Sequence, residues 1–232
     1  MPSFPVMPAL AFAVSAALVV AATLSATGRG PVAAPAARLF APVSATASES
    51  IVLAGGSFWG VQGVFQHLKG VESAVAGYAG GATPHPTYAQ VSAGHTEYAE
   101  AVEVTFDPRQ IGLGDLLRVY FSAAHDPTQI NAQGPDEGRQ YRSEIFAADA
   151  AQANFARAYI AEIDAAKTFR RPVATQVETG ARFYPAEGYH QDYVARHPGE
   201  PYVAYNDAPK VATLKRLFPR LYRATPSLVA TR

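Results

Sequence analysis

The sequence predicts an α+β fold, a ferredoxin-like α/β sandwich on a split β-α-β-β-α-β core with a C-terminal extension. Three observations predict it. From residue 51 onward the apolar patterns run strand, helix, strand, strand, helix, strand, the order that motif requires. Both helical stretches repeat apolar residues at three-to-four spacing, so each has one face to bury against a sheet. The composition, 49% apolar against 16% charged over 232 residues, suits one sizeable hydrophobic core.

Residues 51–54, "IVLA", are a short apolar run that reads as a buried strand, ended by Gly55 and Gly56. The helix after it presents Phe58, Val61, Val64, Phe65 and Leu68 on one face, and Gly70 closes it. Residues 71–78 read as a second strand that runs into "YAGGATPHPTY", a long turn-forming loop. Residues 98–106 alternate as a third strand and stop at "DPRQ". A second amphipathic helix over 113–124 and a fourth strand over 142–146 complete the core. A helix over 147–166, a strand near 173–178 and a helical "AEGYHQDYVARH" extend it.

The N-terminal residues differ in kind. "ALAFAVSAALVVAATL", residues 9–24, is almost wholly small and apolar, somewhat short of the roughly 20 residues of a membrane span. Residues 1–27 are therefore expected to be an export signal or an anchor, although no Lys or Arg precedes the apolar run. Export to a periplasm or anchoring at its membrane follows; a cytoplasmic protein with an N-terminal tail is the alternative. Residues 28–49, rich in Ala, Pro and Ser, read as a flexible linker, 50–222 as the folded domain, and 223–232 as a C-terminal tail.

Several function classes are excluded early. Net charge is zero and no basic stripe stands out, which argues against nucleic acid as a partner. The chain has no cysteine, so it has no disulfide, no zinc-thiolate site and no thiol of its own. Its six histidines are dispersed without an H-E-x-x-H, and no metal site is expected.

"GGSFWG" is the first place where chemistry is expected. Ser57 sits where a strand gives way to a helix, and free N–H groups at a helix start favour negative charge. Serine is also a good N-cap, and the G-x-S-x-G of a hydrolase elbow is not met, because Trp59 follows where glycine is needed. Glu100 shares a strand face with Tyr98, Val102, Val104 and Phe106, which makes it either a desolvated proton donor or a carboxylate at an edge. Glu103 falls on the opposite face and reads as a solvated charge. Tyr88 and Tyr141 stand in turn-like surroundings, as hydroxyl donors or as half-buried packing. Asp136 in "QGPDEG" and the "AHDPTQ" stretch both have a turn explanation. His190 and Asp192 invite comparison with a triad around Ser57, but read more simply as a helix-surface pair.

The ordered motifs "GGSFWGVQGVF", "GYAGG" with "PTY", "YAEAVEVTFDP", "HDPTQINAQGPDEGRQYRS" and "FYPAEGYHQDY" resemble those of the A-type peptide methionine sulfoxide reductases. The resemblance covers residues 50–222. In that family the first motif reads G-C-F-W and its cysteine is the nucleophile; Ser57 occupies that position here. The resemblance makes Phe58 and Trp59 the aromatics that hold the substrate methyl group. It makes Glu100 the acid that protonates the sulfoxide oxygen, Tyr88 and Tyr141 the hydroxyls that bind that oxygen, and Asp136 the site aspartate. It further implies no bound cofactor, methionine-S-sulfoxide as substrate (free or in proteins), and thioredoxin or a small dithiol as reductant, in repair of oxidative damage. The alternative is a protein, natural or engineered, that binds the sulfoxide without reducing it.

Overall fold

The computed structural model describes residues 31–38 and 48–229. The stretch read as an export signal or anchor lies outside the described residues. Among the described residues no helix is long and apolar enough to cross a membrane.

The expected core is present. Strand β1 (Glu49–Gly55) leads into α1 (Phe58–Gln66), which returns the chain to β2 (Val71–Ala79). A short helix, α2 (Tyr88–Ser92), precedes β3 (Ala99–Phe106). Helix α3 (Leu113–Val119) then runs on as a π-helical turn, Tyr120–Ala124. A two-residue hairpin, β4 (Ala132–Gln133) and β5 (Asp136–Glu137), precedes β6 (Ser143–Ala147). Helix α4 (Ala150–Ala165), β7 (Gln176–Thr179) and β8 (Tyr184–Pro185) follow.

The main sheet runs β7-β6-β1-β3-β2-β8. Its four middle strands are antiparallel neighbours, with β3 between β1 and β2, which is the split βαβ arrangement. Strand β7 alone pairs in parallel, against β6, so the sheet is mixed. The face carrying Leu53, Tyr78, Val102, Val104 and Phe106 packs with Phe58, Val61, Val64, Phe65 and Leu68 of α1 and its C-terminal turn in the main core. A smaller apolar cluster, Ala54, Ala79, Ala99, Ala101 and Phe146, lies on the other face beneath Phe183. Period-2 alternation in β3 produces this division, because successive side chains leave a strand on opposite sides.

Three local expectations are corrected. "AEGYHQDYVARH" is not one helix: a 3-10 turn, Gly188–His190, and a short α5 (Tyr193–Arg196) are separated by Asp192 in a left-handed conformation, φ 60°. Gln191 breaks it by spending its amide on β2, accepting from Ala76 N (2.9 Å) and donating to Ala76 O (2.9 Å). His190 and Asp192 are not a surface pair, being 2% and 1% exposed. The loop before β3 contains α2, whose N-cap Thr87 donates its N–H to Gln90 Oε1 at 2.9 Å, one arm of a capping box. The sequence reading also left out the C-terminal π-helical turn Val203–Asp207 and α6 (Ala208–Leu217).

Part of the segment read as a linker lies against the domain. Ala34 is fully buried, its N–H donates to Ser122 Oγ (2.8 Å), and its carbonyl accepts from Arg118 Nε (2.8 Å). At the other end, the N–H groups of Arg223 and Ser227 donate to the carbonyls of His67 and Gln66, both at 2.9 Å.

Candidate active site

The two glycines after β1 are fixed by what approaches them. A Cβ on Gly55 would lie 2.9 Å from His125 Cγ. Gly56 has φ +88°, and a Cβ there would lie 2.5 Å from Gln133 Cγ. The chain therefore turns sharply between β1 and α1, under the hairpin that carries Asp136. Ser57 emerges from that turn at the N-cap position of α1, yet its side chain makes no capping hydrogen bond. Ser57 lines the same cavity as the Tyr202 phenol.

A cavity of about 260 Å³ opens there, lined by Ser57, Phe58, Trp59, Tyr88, Glu100, Asp136, Tyr141 and Tyr202. Six different elements supply these side chains. Phe58 and Trp59 come from the first turn of α1, Tyr88 from the start of α2, and Glu100 from β3. Asp136 comes from β5, Tyr141 from the 3-10 turn before β6, and Tyr202 from the residue before the second π-helical turn.

The aromatic wall is held rigid. Phe58 is buried, stacks on Tyr88 at 6.5 Å and leans on His190 at 5.0 Å. Trp59 lies face to face with Tyr193 at 3.7 Å and edge-on to Tyr202 at 5.8 Å. Its Nε1–H donates to His190 Nδ1 at 3.1 Å. That bond occupies the nitrogen a triad would turn toward its aspartate. Asp192 is engaged elsewhere as well, accepting from Gln66 Nε2 at 2.7 Å and from the Val229 N–H at 2.9 Å. A Ser57–His190–Asp192 relay is therefore not assembled.

Glu100 lies on the core face of β3, 2% exposed, and accepts the Phe58 N–H at Oε2 (3.0 Å). Burial pushes its carboxyl up to about 8; the Phe58 N–H opposes the rise, and Asp136 and Asp207 add to it. Such a group is in its acid form at neutral pH, ready to donate a proton. Burial, reinforced by the Glu100 charge, also raises Tyr88 and Tyr141 above the ordinary phenol range, so both remain hydroxyl donors. Asp136 accepts a hydrogen bond from the Tyr202 hydroxyl. Among the described residues no cluster of His, Cys, Asp or Glu is arranged to hold a metal ion.

Tyr202 is the lining residue the sequence did not disclose. "PYVAYN" carries no strand, turn or motif signal, and only the tertiary fold returns it to α1. His190 was misplaced for a related reason, since its burial depends on three rings from distant parts of the chain.

Residues 49–220 match the family model described as "Peptide methionine sulfoxide reductase". The chain belongs to that family. By this membership it is a peptide methionine sulfoxide reductase, an oxidoreductase. Among curated relatives, the family's MsrA 2 from Mesorhizobium japonicum is 55% identical over 186 residues, covering 80% of this chain and 95% of its own. MsrA 2 from a Synechocystis strain is 46% identical, covering 76% and 84% respectively. Of solved structures, reduced Mxr1 of Saccharomyces cerevisiae superposes with a TM-score of 0.60 at 32% identity, covering 68% of this chain and 90% of that one. Methionine sulfoxide reductase A of Corynebacterium diphtheriae gives 0.56 at 35%, covering 66% and 76%. The ferredoxin-like α/β sandwich is thus the family's architecture.

Proposed function

We propose that the cavity at the start of α1 receives a methionine-S-sulfoxide side chain, free or within a protein, for reduction to methionine. The observation that carries this reading is the company Glu100 keeps: one buried carboxyl shares a cavity with two locked aromatic rings and three phenols. The aromatics suit the S-methyl group, an apolar end with a polarisable sulfur. The phenols of Tyr88 and Tyr141 donate hydrogen bonds to the sulfoxide oxygen, and Glu100 supplies its proton as the S–O bond breaks. Asp136 orients the Tyr202 hydroxyl at the same wall.

We further propose that Ser57 stands where the family places its nucleophilic cysteine. In the thiol cycle, sulfur attacks the sulfoxide sulfur, oxygen transfers to the enzyme as a sulfenic acid, and methionine leaves. Two external thiols then return the sulfenic acid to thiol, releasing water and a disulfide. Thioredoxin or a small dithiol would supply them. Serine cannot run this cycle. An alcohol ionises far less readily than a thiol, and the oxygen counterpart of a sulfenic acid is a hydroperoxide. This chain therefore carries the recognition and acid half of the reaction, and the missing thiol limits turnover. The test is a paired assay of the chain and Ser57→Cys with methionine-S-sulfoxide and excess dithiol. The variant is expected to gain activity by orders of magnitude; a folded but inactive variant would overturn the assignment of the site.

A further inference from the structure

We infer that the buried Asp207–Lys210 pair, seated against the first turn of α1, acts through its charges on the Glu100 acid. Asp207 is completely buried at the junction of the second π-helical turn and α6, and its Oδ1 meets Lys210 Nζ at 3.2 Å. The pair is seated directly on α1. A Cβ on Gly60 would lie 2.2 Å from Asp207 Oδ1 and 2.6 Å from Lys210 Nζ, so the approach requires glycine there. Two residues earlier in the same turn, the Phe58 N–H is the donor that holds Glu100 Oε2 at 3.0 Å. Whatever fixes that turn fixes the acid.

A packing role alone does not account for charges at this place. A buried ion pair is seldom more stable than apolar residues of the same volume. Asp207 Oδ2 is also buried without a hydrogen-bond partner, a costly state when it serves no purpose. The pair's fields do reach the acid: Asp207 raises the proton affinity of Glu100 and Lys210 lowers it. The other groups facing Glu100 are Tyr78 from β2, Tyr88 from α2, Asp136 from the hairpin and Tyr141 from the 3-10 turn. Lys210 is the cation of this set. It keeps a cluster of acids from pushing Glu100 beyond the range in which it can lose its proton.

This inference rests on Glu100 being the proton donor, and its test needs neither substrate nor turnover. The carboxyl stretch of Glu100, identified by its loss in Glu100→Gln, is followed by infrared spectroscopy against pH in the full chain. Lys210→Met keeps the stem and removes the charge; the midpoint should rise by about half a pH unit or more. Asp207→Asn keeps the shape, and the midpoint should fall by a similar amount. Lys210→Arg should leave it near the wild-type value. Opposite shifts are what a merely structural prop does not give. Midpoints that stay put, or move together, overturn the inference, as does loss of folding in both neutralised variants. Failure of the sulfoxide reading would appear separately, as a wild-type chain that does not bind the sulfoxide.

Discussion

Glu100 owes its chemistry to one strand face. Its carboxyl is desolvated among Tyr78, Val102 and Phe58, and the resulting proton affinity, about 8, places it in the acid form at neutral pH. The sign of the pH dependence follows. The acid form is required, so in Ser57→Cys the rate of the reductive step should be level below this value and decline as pH rises through about 8. Glu100→Gln in the same background should slow the reductive step far more than it weakens sulfoxide binding, and should abolish the decline. Single-turnover kinetics over a pH series check both; an unchanged profile would remove Glu100 as the donor. Ser57 is the complementary case at this scale. Under the proposed function it stands at the nucleophile's position with a hydroxyl in place of a thiol, and Ser57→Cys tests that placement.

The β1–α1 junction is the element on which the site turns. Gly55 yields to His125 behind it, and burial pushes that imidazole down to about 3, so it remains a neutral wedge. His125 Nε2 is anchored to Ser143 Oγ at 2.7 Å on β6. Gly56 yields to Gln133, whose amide clasps Asp126 by accepting its N–H and donating to its carbonyl, each at 3.0 Å. The hairpin bearing Asp136 is thereby tied to the start of α1. Gly56→Ala combines a disfavoured positive φ with a collision, and should cost about 1–3 kcal/mol. Urea denaturation reads that loss. Sulfoxide affinity should drop as well, because the hairpin must shift; a variant as stable as wild type would show the junction to be looser than its geometry implies.

The whole domain is closed by its ends. The stretch 31–38 inserts Ala34 into the main core and gives its carbonyls to Arg118 and Tyr159, the latter bond at 2.6 Å from Tyr159 to Pro35 O. Residues beyond 222 bind the C-terminal end of α1 and Asp192. A chain beginning at Glu49 should accordingly be less stable than one beginning at Pro31 by about 2–4 kcal/mol, from a few buried hydrogen bonds and the uncovered apolar surface. Equal denaturation midpoints would show that the stretch rides on the surface without supporting it. The same closure explains why the C-terminal extension matters. It delivers His190, Tyr193, Tyr202 and Asp207 to α1, far from them in sequence.

The sequence by itself determined the strand and helix order, the core face of β3, and the grouping of Ser57 with Phe58 and Trp59. Those are local matters: a period of two or of three-to-four residues decides which side chains face inward, and adjacent residues remain adjacent. It determined equally that no thiol is available, since the absence of cysteine is a property of composition. Only the tertiary structure decided that "GYHQDY" breaks into two turns, that His190 orients Trp59, that Tyr202 joins the cavity, and that Asp207 lies under Gly60. Each depends on contacts between residues more than 100 positions apart. Such contacts are set by how the C-terminal segment packs across α1, and no periodicity along the chain encodes that packing.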